Sequence, residues 1–223
     1  MHLTGLLRRA RASGFSLVEL MIVLAIVAIL LLIAVPSFQV WIANSRMRST
    51  AEALQNDIRL AEQYAVSNNH QTAFVLTTAP ASTASVAALS TTPVAAGAAA
   101  SYWFVQQTPS TYDVSQAPIM VAVSPTGQTS GVLITAIQAP DGVSNGNGVA
   151  ALCYNSVGRQ VTVTTAQAPI PANCSAADTQ FSITMPSNAA LSGYRPLRVT
   201  ADLGGRVRVC DPSVSITVEP YGC

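Results

Sequence analysis

The chain of 223 residues contains no lysine; all 11 of its basic residues are Arg. Only 9% of residues are charged and the net charge is +1, which excludes a strongly basic nucleic-acid binder and a charged disordered tail. There are two His, His2 and His70, so a His-rich metal site or a Ser/His/Asp triad is poorly supplied. No G-x-S-x-G is present. The four Cys form no C-x-x-C pair, which argues against a zinc ribbon or thioredoxin-like redox chemistry. The Gly/Asn-rich stretch Asp141–Gly148 lacks the order of a phosphate-binding loop and has no Lys beside it. No enzyme activity, metal or cofactor is expected from these residues.

The amino terminus carries the information. Residues 1–14 are short and basic, with Arg8, Arg9 and Arg11 and no acid, and they end at Ser13-Gly14. Leu20 to Val35 is an unbroken run of 16 apolar residues. With Phe15–Glu19 in front, the stretch is long enough as a helix, roughly 30 Å, to cross a bilayer core. Basic residues ahead of it and few behind hold the N-terminus in the cytoplasm. A secretory signal would have a shorter apolar core and a better cleavage site than Ala34-Val35-Pro36. A plain anchor accounts for the length but not for Glu19, because an acid inside an apolar helix is costly in lipid and usually marks function.

The string Gly14-Phe15-Ser16-Leu17-Val18-Glu19 resembles the class III signal of type IV prepilins and pseudopilins, and the apolar helix followed by Ala34-Val35-Pro36-Ser37-Phe38 continues the likeness. The resemblance implies that a prepilin peptidase in the membrane cuts between Gly14 and Phe15 and methylates the new amine of Phe15. Glu19 would then stand fifth in the mature chain and meet the N-terminal amine of a neighbouring subunit, since a buried carboxylate needs a partner. Loss of Arg8, Arg9 and Arg11 leaves 8 Arg against 10 acids.

Pro36 predicts a kink, and the helix is expected to resume beyond it. Met47, Leu54, Ile58, Ala61 and Ala65 recur at helical spacing, with Arg46, Arg48, Glu52, Asp57, Arg59 and Glu62 as the wetter face and Arg48/Glu52 four apart. Asn68-Asn69 reads as the stop. One helix over about 15–68 follows, on the order of 80 Å. From residue 71 the character turns to β: Gln71–Leu76, Ser101–Gln107, Ile119–Val123, Val132–Ile137, Ala150–Tyr154, Gln160–Thr164, Phe181–Met185, Leu197–Ala201 and Arg206–Cys210 are the expected strands. Asn155-Ser156-Val157-Gly158-Arg159 is a hairpin turn. Thr77–Ser101, with 19 of 25 residues Ala, Ser or Thr, reads as an irregular insertion. The fold class is therefore α+β and type IV pilin-like, a long N-terminal helix on an antiparallel sheet. Residues 1–14 would be leader, 15–36 the transmembrane or filament-core helix, 37–69 its amphipathic continuation and 70–223 a β-rich periplasmic domain.

A domain outside the cytoplasm keeps disulfides. Four Cys allow three pairings, and the local pairs Cys153–Cys174 and Cys210–Cys223 are favoured. The segment Arg195–Pro212 reads as a closing hairpin with Gly204-Gly205 at its turn. Arg206 and Arg208, two apart, would share one face, Val207 and Val209 the other, with Arg198 across the hairpin. Exposed polar residues on a strand are the bland account. The segment also resembles the C-terminal half of the FimT/FimU minor pilins, the group with the GspH-type domain. In FimT proteins a G-R-x-R element binds DNA; here that is Gly205-Arg206-Val207-Arg208. Two or three phosphate contacts give weak, salt-sensitive binding, raised by several copies along a fibre. Tyr102, Trp103 and Phe104 are consecutive and Tyr194 and Tyr221 isolated, too thin a supply for a base-stacking platform.

Three functions remain open: a minor pilin that primes or caps a type IV pilus, a DNA receptor for natural transformation, and a GspH-like pseudopilin of a type II secretion machine. The partners these resemblances imply are other major and minor pilins, the prepilin peptidase, the inner membrane and DNA. The location implied is the inner membrane, as a single pass with a periplasmic domain, and the pilus fibre after assembly.

Overall fold

In a computed structural model of the chain, the described residues are 15–82, 94, 97–108, 119–125, 127, 129–138, 151–163, 174–188 and 193–223. The leader with Gly14, most of the Thr77–Ser101 insertion, the Asp141–Gly148 loop, Ala150 and Thr164 lie outside them. Two units divide the chain, Met1–Gln39 and Val40–Cys223.

One helix, α1, runs over Leu17–Asn68. Its part in the first unit is apolar and exposed, from Leu17 to Leu32. Neither Leu17–Leu32 nor Ser37–Asn68 alone is long and apolar enough to cross a membrane, whereas the two together suffice by length and composition.

In the second unit the helix is amphipathic. Ala43, Met47, Ala51, Leu54, Ile58, Ala61 and Ala65 are buried, each three or four residues from the last, so they form one stripe. The helix stops in a Schellman arrangement: Asn69 takes φ 54°, its N–H reaches Val66 O, and His70 N–H reaches Ala65 O. Asn tolerates this left-handed position better than other residues with a Cβ, and the two bonds satisfy carbonyls the helix would otherwise leave open.

The strands are β1 Thr72–Thr77, β2 Ala99–Ala100, β3 Tyr102–Gln107, β4 Ile119–Val123, β5 Leu133–Gln138, β6 Ala151–Tyr154, β7 Thr179–Thr184, β8 Leu197–Ala201 and β9 Val207–Cys210. They form two antiparallel sheets, ordered β4-β3-β1-β6 and β2-β5-β7-β8-β9. Of the expected strand Gln160–Thr164, the described residues Gln160–Val163 form no strand: Gln160 and Val163 make isolated bridges, to Tyr154 and Cys174. After the turn at Asn155–Arg159 the pairing with β6 lasts only to Val161, whose N–H donates to Cys153 O, and Val163 then bridges Cys174, the disulfide partner of Cys153.

The main core lies between the helix stripe and both sheets, with Phe74, Leu76, Trp103, Ile134, Leu152, Tyr154, Phe181, Ile183 and Val199. Phe74 of β1 and Phe181 of β7 meet edge to face at 5.8 Å, joining the two sheets. The four-stranded sheet is buried on its other face too, where Ala73, Val75, Phe104 and Ala151 pack with Cys153 and Cys174. All six residues of β1 are buried, so it reads as a continuous apolar run and not as an alternation. Asp57, expected on the wet face, instead turns inward: it is half-buried and accepts a 2.7 Å hydrogen bond from Trp103 Nε1.

Candidate functional site: the closing hairpin and its sheet face

Hairpin β8–β9 begins in a turn set by its residues. Asp202 N–H donates to Arg206 O and Gly205 N–H to Asp202 O, with Gly205 at φ 83°. A Cβ at Gly205 would stand 2.9 Å from Glu62 Oε1. Gly205 therefore answers a left-handed backbone, and the Glu62 side-chain end would have to move aside for a Cβ. The turn Asn155–Arg159 repeats the design. Asn155 N–H donates to Arg159 O, Gly158 N–H to Asn155 O, and Gly158 has φ 78°. Its Cβ would also face the helix, at Val66 and Glu62. The five-residue strings N-S-V-G-R and D-L-G-G-R thus build twin turns, each ending in a Gly-Arg pair. Gln160 Nε2 donates to Asp202 O at 3.1 Å and ties them together. The equivalence was present in the sequence as two Gly-Arg pairs, but only their common seat on Glu62 gives it meaning. Burial raises the Glu62 carboxyl above its ordinary value, opposed by nearby Arg59.

The hairpin is fastened to the helix from behind. Gln55 Nε2 and Arg59 Nη2 both donate to the Val207 carbonyl, at 2.9 and 2.8 Å. Val207 is buried, and Val209 is partly buried against the core.

The arginines are not equivalent. Arg206 precedes β9 and bonds through Nε and Nη2 to Asp202 Oδ2, at 3.0 and 2.9 Å. Its charge is already matched, although its side chain is exposed. Arg208 lies within β9 and pairs in register with Thr200, which pairs in turn with Gln180. Arg198 is two residues from Thr200 and pairs with Cys210 and Ser182. Alternation places Gln180, Ser182, Arg198, Thr200, Arg208 and Cys210 on one face, opposite the buried Phe181, Ile183, Val199 and Ala201. Arg198, Thr200 and Arg208 line one recess of about 190 Å³, with Asp178, Thr179, Gln180, Asp202 and Cys223. Asp178 accepts the Leu203 N–H at 2.7 Å.

Behind the hairpin the chain closes on itself. Cys210 is joined to Cys223, and Asp211 exchanges backbone bonds with Tyr221 and Cys223. The segment between presents Ile216, Val218 and Tyr221 to solvent. Tyr194 is engaged, its hydroxyl accepting the Met185 N–H at 2.7 Å. At the other end of the chain, Phe15 and Glu19 are exposed, at the start of the apolar helix. Among the described residues no group of three or more His, Cys, Asp or Glu is placed to hold a metal ion.

Comparison with known proteins adds the following. Residues 9–35 match the prokaryotic N-terminal methylation motif. No curated protein sequence matches the chain. The minor pseudopilin EpsH of the Vibrio cholerae type 2 secretion system is similar in structure, with a TM-score of 0.42 at 10% identity, over 76% of this chain and 99% of that one. The type IV minor pilin FimU of Pseudomonas aeruginosa is similar with a TM-score of 0.40 at 10% identity, over 74% of this chain and 96% of that one.

Proposed function

We propose that this chain is a minor subunit of a pilin-type fibre, cut after Gly14, methylated at Phe15, and held by its apolar helix in the inner membrane until it is drawn into the fibre. The observation that carries the reading is the methylation motif over residues 9–35, continuous with an exposed apolar helix segment, Leu17–Leu32, whose single acid is Glu19. In the fibre, Glu19 pairs with the Phe15 amine of a neighbouring subunit. The role is one of assembly and binding, not catalysis. Both fibre types, the type IV pilus and the type II secretion pseudopilus, use this signal, and the motif favours neither.

The test is the mass and N-terminal sequence of the chain purified from its native membrane. A mature chain that begins at Phe15 and carries one extra methyl group supports the reading. A chain that keeps residues 1–14 in cells with an active prepilin peptidase, or is cut behind Val35, overturns it.

A second role rests on the closing hairpin. Capture of DNA through Gly205-Arg206-Val207-Arg208 and Arg198 is supported by the shared outer face of Arg198 and Arg208 on β8 and β9. A titration of labelled DNA at two salt concentrations, with Arg206→Ala/Arg208→Ala beside the native chain, tests it. Salt-sensitive binding lost in the double variant is expected. Binding indifferent to both arginines would sink it.

A further inference from the structure

We propose that the base of the folded unit, formed by residues 40–48 of α1 and the loop at 193–195, rests on lipid headgroups, with Trp41 at the edge of the hydrocarbon and Arg46 and Arg195 on lipid phosphates. The inference deepens the membrane-held reading above and rests on it.

The apolar run by itself is short for a bilayer. Residues 20–35 rise about 24 Å as a helix, against a hydrocarbon core of roughly 30 Å. Residues 15–19 make up the difference only if Glu19 enters the core, where a carboxylate is costly. The other end supplies the length without charge. Residues 20–45 contain no Asp, Glu, Lys or Arg, and Trp41, six residues past Val35, adds about 9 Å. An indole suits the boundary between hydrocarbon and headgroup, where its ring is apolar and its N–H is wet.

Trp41 is 64% exposed. It precedes the buried Ala43 by two residues and so lies on the side of the helix away from it. The β-rich part of the unit reaches the same level. A Cβ at Gly193 would stand 3.5 Å from Val40 Cγ1. Asn44 Nδ2 donates to Gly193 O at 2.9 Å, and the Arg195 backbone N–H donates to Asn44 Oδ1 at 3.1 Å. Val40 and Asn44 bracket Trp41 along the helix, so no spacer separates the 193–195 loop from the edge of the lipid. Arg46 and Arg195 are both exposed, and neither is in an ion pair among the described residues. Arg46 is five residues past Trp41, about 7.5 Å along the axis, which sets its guanidinium at the phosphates when the indole is at the hydrocarbon edge. The acids that share a groove with Arg195 are engaged, Glu52 with Arg48 and Asp211 with Ser213.

The test uses the full chain in vesicles of phosphatidylethanolamine and phosphatidylglycerol, with bromine on part of the lipid either near the headgroup or near the chain ends. The chain has two Trp. Trp103 is fully buried and serves as the internal reference. Shallow bromine should quench the emission at least about twofold more than deep bromine, as an interfacial indole requires. Trp41→Phe, an exposed and conservative change whose fold is checked by circular dichroism, should abolish that quenching. Mass spectrometry of the chain released in mild detergent should find phosphatidylglycerol retained, and Arg46→Gln/Arg195→Gln should lower the amount at least about twofold. A chain that does not float with the vesicles sinks the membrane-held reading, and the inference with it. A chain that floats, but whose Trp41 is quenched by aqueous iodide and by neither brominated lipid, keeps that reading and overturns the inference. Stronger quenching by deep bromine, or equal phosphatidylglycerol retention in the double variant, overturns it as well.

Discussion

Trp103 donates its indole Nε1–H to the Asp57 carboxylate at 2.7 Å, fastening helix α1 to an interior strand of the four-stranded sheet. Burial pushes the Asp57 carboxyl above its ordinary value of 3.8, and the Trp103 bond only partly offsets this. The folded state therefore binds the Asp57 proton more tightly than the unfolded state does. Stability from this group is fully present below pH 3.8 and is lost as pH rises through the raised value. Glu62, also raised, acts in the same direction from 4.5. Asp57→Asn keeps an oxygen for Trp103 and removes the ionisation. Its denaturation midpoint should fall less than that of the native chain between pH 4 and pH 7. An equal fall in both would show that Asp57 is not responsible.

Gly205 and Gly204 are adjacent and should respond differently. Gly205→Ala forces a Cβ into the left-handed region and to 2.9 Å from Glu62 Oε1, a loss of about 1–3 kcal/mol. Gly204 has nothing within 4 Å of a Cβ, so Gly204→Ala should stay within about 0.5 kcal/mol. Chemical denaturation of the two variants side by side is the measurement, and equal losses would contradict the turn geometry.

The Phe74–Phe181 contact joins sheets that share no backbone ladder among the described residues. Both rings are fully buried. Phe74→Ala should cost about 3–5 kcal/mol, and a double-mutant cycle with Phe181→Ala should return about 0.5–1.5 kcal/mol of coupling for the edge-to-face pair. A cycle that closes to zero would show that the rings contribute by burial alone.

Cys210 and Cys223 are 13 residues apart in sequence. Replacing both by Ala frees a loop whose closure contributes about 3 kcal/mol in the chain-entropy account. The amides of Asp211 and Cys223, bonded across the loop base, should then exchange with solvent faster, while those of β1 stay protected. Non-reducing peptide mapping of the native chain should recover Cys153 with Cys174 and Cys210 with Cys223; any cross-pairing would contradict the structure.

Glu19 is exposed on the first turn of α1. Glu19→Gln should leave the folding of Val40–Cys223 unchanged, because among the described residues the buried core begins at Ala43. It should sharply reduce incorporation into fibres, measured by immunoblot of the sheared fraction, because Gln offers no charge to the neighbouring amine. Normal incorporation would remove the charge-pairing account of assembly.

Local chemistry made much of the architecture legible without coordinates. Met47, Leu54, Ile58, Ala61 and Ala65 announce the buried helix stripe because a helix repeats every 3.6 residues whatever it packs against. Asn69 announces its end because few other residues with a Cβ accept the left-handed cap. Most strands appear within a residue or two of their positions through β-branched and aromatic runs broken by Gly and Pro. Gln160–Val163 had the right composition but meets β6 and Cys174 only at isolated bridges, and the length of a ladder is a property of the fold, not of the segment. Asp57 was legible as a helix residue but not as the partner of Trp103, since the two meet only when the helix lies on the sheet.

The same division holds at the candidate site. The sequence determined the apolar helix with its lone acid, the turn-forming Gly205 and the arginines at 198, 206 and 208, because each follows from residue chemistry over a few neighbours. Only the tertiary structure separated those arginines. Asp202 comes within 3.0 Å of Arg206 when the turn closes, whereas strand register sets Arg208 beside Thr200, two residues along β8 from Arg198. Register and turn closure depend on contacts between residues distant along the chain, and no local pattern encodes which charge will find a partner.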